Sequence, residues 1–237
     1  MLTLAEAVKL LRMHYGPPER PPTTDPFELI LLENVAYLTT PERRREAFEH
    51  LKSSVGTSPE AILAAEPGAL ERVTARGILE EDFADKLREC ARIAAEDFGG
   101  DLRKVIRGPI SVAKKALRAF PGIGEPGAEK ILLFTGQQAL LAPESNGLRV
   151  LIRLGLVREE KSYSKTYAAS RQAGEPLRAT PGEMQEAHLL LQVHGRTLCK
   201  RTAPRCEPCP LAPGCAYSQN QLRRLPQRTS RSVGRPQ

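Results

Sequence analysis

The stretch HGRTLCKRTAPRCEPCPLAPGC, residues 194–215, gathers four of the chain's five cysteines into one proline-punctuated loop. Cys199, Cys206, Cys209 and Cys215 follow the spacing C-x6-C-x2-C-x5-C, close enough for four thiolates to converge on one centre. Such a set is an odd disulfide framework for so long a chain and a natural metal site in a reducing compartment. Tetrahedral sulfur ligation suits a zinc ion and an iron–sulfur cluster equally, and the spacing read as geometry leaves both open. Lys200, Arg201 and Arg205 stand between the first two cysteines, so a loop folded around the centre presents three positive charges. Cys90 falls on the apolar face of a helical stretch and reads as a core residue.

The charge of the whole chain agrees with that of the loop. A formal net charge of +7 over 237 residues suits a polyanionic partner such as nucleic acid. No window holds about 18 consecutive apolar residues, and the N-terminus carries Glu6 with no small-residue cleavage site, so neither a membrane span nor secretion is expected and the expected location is the cytoplasm. Residues 219–237 carry five arginines and no acid, with too few large apolar side chains to fold, and read as a disordered basic tail.

Upstream of the loop the signals are helical throughout. Thr3 precedes LAEAVKLL as a cap; Asp25 and Pro26 open PFELILLENVAYL; Thr40 and Pro41 open PERRREAFEHLKSSVG; Ser58 and Pro59 repeat the cap-then-proline start. Apolar residues at 83, 87, 90, 91, 94 and 98 give a helical period that Gly99-Gly100 ends. With no alternating strand pattern competing, the expected fold class is all-α. Within FELILLENVAYL, Glu33, Asn34 and Tyr37 form a polar stripe on an apolar helix, where burial is costly without partners.

FPGIGEPGAEK, residues 120–130, places a Pro-Gly-x-Gly turn directly before a helix. Gly122 and Gly124 carry no side chain and can take positive φ, so an anion can approach the amides of Gly122, Ile123 and Gly124 at the helix N-terminus. Taken together, the cysteine loop, the DPFELILLENVAYL helix and FPGIGEPGAEKILL resemble the endonuclease III family, helix-hairpin-helix DNA glycosylases with a C-terminal [4Fe-4S] loop. By alignment the resemblance covers nearly all of residues 1–218.

That resemblance implies two helical lobes flanking a DNA groove. Residues 22–130 would form a helical-barrel domain ending in the hairpin, and residues 1–21 plus 131–218 the cluster domain. It implies a structural [4Fe-4S] cluster on the four cysteines and a monomer that binds double-stranded DNA carrying a damaged or mismatched base. Lyase-active members have a nucleophilic lysine two residues beyond the second hairpin glycine; here that position is Pro126, and the next lysine is Lys130. The family's catalytic aspartate aligns with Glu144, one methylene longer. Glu33 aligns with the glutamate that the adenine-mismatch branch uses as a general acid, so Glu144 and Glu33 are the candidate catalytic residues. The intercalating glutamine of the lyase branch aligns near Leu38, with Tyr37 beside it, and either would serve as an apolar wedge. The implied function is base removal without efficient abasic-site lyase activity; the alternative is a catalytically inactive or weak DNA- or lesion-binding member of the same family.

Overall fold

The computed structural model describes residues 1–174 and 180–224. Helices account for the fold: α1 (Leu4–Tyr15), α2 (Pro26–Asn34), α3 (Pro41–Ser54), α4 (Pro59–Leu63), α5 (Ala69–Thr74), α6 (Glu80–Phe98), α7 (Arg103–Ile106), α8 (Ile110–Leu117), α9 (Glu125–Phe134), α10 (Ser145–Leu154), α11 (Tyr163–Gly174), α12 (Pro181–Thr197) and α13 (Ala216–Arg224). Among the described residues there is no strand beyond one isolated bridge between Tyr37 and Ile78, and no helix is long and apolar enough to cross a membrane.

The helix starts follow from their caps. Thr3, Asp25, Thr40 and Ser58 each accept a backbone N–H from the first turn, and proline fills the first position of α2, α3 and α4, where its missing donor costs nothing. The α6 helix ends where Gly99 takes φ +60°. One expectation changes: α2 stops at Asn34, three residues short of Tyr37. The Tyr37 carbonyl accepts the Ile78 N–H at 3.2 Å, which fixes the chain in a loop. Tyr37 therefore shares no helical stripe with Glu33. At the other end, residues 219–224 continue α13 rather than opening a tail, and residues 225–237 of the expected basic tail lie outside the described residues.

Two cores organise the helices. The first is built from α2 to α9, with Phe48, Leu87, Cys90 and Leu117 fully buried. The second gathers α1, α10, α11 and α12 with Leu211 and Cys215 of the cysteine loop. Helix α9 sends Leu132 into the first core and Leu133 into the second, while α12 sends Leu189 and Leu190 the same two ways. These two helices form the shared wall between the cores, and α9 carries the end of the glycine turn.

A buried ionic cluster fixes α9 in that wall. The Glu129 carboxylate, 1% exposed, accepts from Tyr167 Oη at 2.6 Å, Lys114 Nζ at 2.8 Å and Arg171 Nη2 at 2.8 Å. Lys114 comes from α8 and the other two donors from α11, so one carboxylate joins three helices. A buried carboxylate is tolerable only with this many donors.

Candidate functional site

The glycine turn comes first. Gly122 takes φ +73°, while Gly124 is extended at φ −86° and caps α9, so only the first glycine uses a left-handed conformation. Ile123 is buried, and its N–H donates to Phe120 O at 3.2 Å. Its amide is thus spent inside the turn, which corrects the expectation that all three amides face outward. The N–H groups of Gly124, Glu125 and Gly127 have no acceptor among the described residues and point along the start of α9, where the helix dipole favours an anion. Asn34, at the end of α2, holds the turn from beneath: its Nδ2 donates to Pro121 O at 3.0 Å and Ile30 O at 3.1 Å.

Pro126 lies in the first turn of α9 and brings neither an amine nor an N–H. One turn further on, Lys130 Nζ lies 2.6 Å from Glu33 Oε2, the two side chains 19% and 23% exposed. Burial pushes the Glu33 carboxyl up, but the Lys130 ammonium and the Arg44 guanidinium outweigh it and hold Glu33 below the ordinary carboxylate range. Both residues line a cleft between α2, α3, α9 and α12, together with Arg44 and His188.

His188 is the residue that sequence reasoning missed. It is buried on α12, packs edge-on to Phe134 at 5.3 Å, and its Nδ1 contacts Ala142 O at 2.7 Å. A carbonyl only accepts, so Nδ1 carries the proton. Burial, with Lys130 nearby, pushes the imidazole down to about 4, so the ring is neutral with a free Nε2 lone pair. Glu33 and Glu144 both act electrostatically on this ring, so it lies within range of both candidate carboxylates. The only sequence signal was a lone polar residue in the apolar run HLLLQV.

Glu144 is neither free nor fully exposed. It caps α10, accepting the Gly147 N–H at 2.9 Å and the Asn146 amide at 2.8 Å. The cap holds the carboxylate at a helix N-terminus, where its charge is favoured. Through Ala142 the loop that carries it rests on His188.

The four cysteines of the loop line one small cavity, with Arg153 and His194 on its wall. Cys199 O accepts from Arg149 Nε at 2.9 Å, and Arg153 Nη1 approaches Cys199 Sγ at 3.3 Å and Lys200 O at 2.7 Å. His194, buried, lies between Tyr15 Oη at 3.0 Å and Cys209 Sγ at 3.5 Å. Among the described residues no three His, Cys, Asp or Glu side chains close on a point that would hold a single metal ion. Four soft donors set around a cavity, with N–H groups on their sulfurs, suit a larger sulfur-ligated group better than one ion with bonds of about 2.3 Å. Lys200, Arg201 and Arg205 are exposed on the outer side.

A fourth feature combines two loops. Tyr37 and Leu38 follow α2; Ile78 and Leu79 precede α6; all four are exposed, and the bridge between Tyr37 and Ile78 holds them side by side. Leu38 and Leu79 take left-handed φ values of +46° and +57°, which branched side chains adopt only under constraint. Tyr37 stacks on Phe83, centroids 4.9 Å apart. The sequence pointed to the first pair and not to the second.

Two helical cores sharing α9 and α12, a glycine turn between α8 and α9, and a terminal cysteine loop define a helix-hairpin-helix glycosylase fold. No family model matches the chain. Over 195 residues it is 27% identical to an endonuclease III of Thermotoga maritima, covering 82% of this chain and 84% of that protein. It is 23% identical over 197 residues to a thymine/uracil-DNA glycosylase of Methanothermobacter thermautotrophicus, covering 82% and 83%. An endonuclease III solved in a non-covalent complex with DNA superposes with a TM-score of 0.74 at 19% identity, covering 94% of this chain and all of that one. The chain belongs to the endonuclease III family of helix-hairpin-helix glycosylases.

Proposed function

We propose that this protein is a DNA base-excision glycosylase that hydrolyses the N-glycosidic bond of an extruded nucleotide in a damaged or mismatched duplex and has little abasic-site lyase activity. The observation that carries the second half is the pairing of Lys130 with Glu33 behind Pro126. At the family's nucleophile position there is no amine, and the nearest lysine is an ammonium held in an ion pair, whereas Schiff-base chemistry requires a free amine.

The remaining parts have matching roles. The free amides of Gly124, Glu125 and Gly127 bind a phosphate without reading sequence. The exposed Tyr37, Leu38, Ile78 and Leu79 fill the gap that an extruded nucleotide leaves. Glu144, ionised at its helix cap, stabilises positive charge developing on the sugar and takes the proton of the attacking water. Cys199, Cys206, Cys209 and Cys215 would hold a [4Fe-4S] cluster, whose contribution is structural: it fixes the loop that presents Lys200, Arg201 and Arg205 to the DNA backbone. The protein would act as a monomer.

A panel of duplexes carrying deaminated, oxidised and mismatched bases tests this. Alkali-labile sites should form on at least one of them, and Glu144→Gln should abolish their formation. Tight lesion binding with no alkali-labile product on any duplex would favour the binding-only alternative.

A further inference from the structure

The cleft around Glu33 holds no acid that could protonate a departing base near neutral pH. Glu33 is ionised by its contact with Lys130 at 2.6 Å. His188 spends its one ring proton on Ala142 O and offers only a lone pair. What the cleft does offer is donors: the Lys130 ammonium, and Arg44, whose Nε is buried with no partner among the described residues. A buried N–H without an acceptor is costly, and a site that leaves one open is complementary to a group that brings an acceptor.

We propose that Lys130, assisted by Arg44, stabilises the leaving base as an anion, so that the cleft selects bases whose glycosidic nitrogen bears negative charge readily, those with a carbonyl flanking it. This rests on the glycosylase reading above. The C1′–N bond breaks heterolytically and its electron pair stays on the base, delocalised onto the adjacent carbonyl oxygen, which accepts from Lys130 and Arg44. The oxygen of a water molecule bonds to C1′, and its proton passes to the Glu144 carboxylate. The base anion later takes a proton from solvent, and no oxidant or reductant is needed. Glu33 acts here as a positioning residue that holds the Lys130 ammonium in the cleft and accepts an N–H from the base edge. Purines, which leave after ring protonation, find no proton donor in this cleft.

Leaving-group acidity separates this role from a structural one. Single-turnover excision would be measured on duplexes carrying uracil or 5-fluorouracil opposite guanine, the fluorine making the base a better leaving anion. Lys130→Met should slow uracil release about a hundredfold, the usual cost of one charge-stabilising donor, and 5-fluorouracil release clearly less; Lys130→Arg should retain most of the rate. Because Lys130→Met leaves Glu33 unpaired, the double change Glu33→Gln with Lys130→Met serves as the folding control. It should keep wild-type affinity for a duplex with an abasic-site analogue while still showing the steeper dependence on the leaving group. Equal slowing of both bases, no slowing, or faster release of a mismatched adenine than of uracil by the wild type would overturn the proposal and leave the glycosylase reading standing. No base release from any duplex would overturn both.

Discussion

Asn34 Nδ2 donates to the Pro121 carbonyl at 3.0 Å, and a Cβ placed on Gly122 would lie 2.7 Å from Asn34 Oδ1. The residue that ends α2 thus touches the glycine that shapes the phosphate-binding turn, and Glu33 is its neighbour in sequence. Grip on the DNA backbone and geometry of the cleft are set by one stretch of α2. Gly122→Ala meets both a φ of +73° and that close approach, so it should cost about 1–3 kcal/mol of stability. It should also weaken duplex binding more than an exposed substitution of equal cost. Urea midpoints and equilibrium DNA titrations check the two effects separately.

Protein purified without air should be brown and carry iron and sulfide rather than zinc. Cys206→Ser or Cys209→Ser should remove the colour. Arg153→Ala takes a donor from Cys199 Sγ and from the Lys200 carbonyl, so the cluster should be lost to a chelator faster while all four ligands remain. Visible absorption followed during chelation gives both results.

DNA affinity should fall steeply with salt. Each of Lys200, Arg201 and Arg205 that contacts a phosphate contributes about 0.9 to the slope of log K against log salt. Changing all three to alanine should therefore flatten the plot by up to about 3 while leaving sequence preference unchanged.

His188 makes stability pH-dependent on the acid side. In the unfolded chain it protonates near its ordinary value, whereas the folded one does so only at about 4. Between those values the unfolded chain holds the extra proton, so stability is fully present above the unfolded value and falls as pH drops through the window. At pH 5 the loss from this group should be about 2 kcal/mol relative to pH 7. Urea titrations at the two pH values should show this difference shrinking in His188→Gln.

The starts of α1, α2, α3 and α4 are legible in the sequence because each cap and its first-turn proline are local. The end of α6 is legible for the same reason, and so is the all-helical class. The end of α2 is not, because a bridge to Ile78, far along the chain, decides it. The same holds within the cleft. Glu33 and Lys130 can each be singled out, yet their pairing exists only once α2 packs on α9. The three donors around Glu129 come from α8 and α11, and nothing near Glu129 in sequence announces them. Ile123 shows the converse failure: the hairpin motif is correctly placed, but which of its amides stay free is settled by a turn bond to Phe120.

The most direct test of base removal without a Schiff base compares two treatments of one reaction. An end-labelled duplex carrying a released base is incubated with the full chain, and one half is heated in alkali while the other receives borohydride. Strand breaks that appear only after alkali, with almost no borohydride-trapped complex, are the predicted result. Efficient trapping by the unmodified protein that disappears in Lys130→Ala would contradict it, because Lys130 would then be the nucleophile and its pairing with Glu33 would have to open during the reaction.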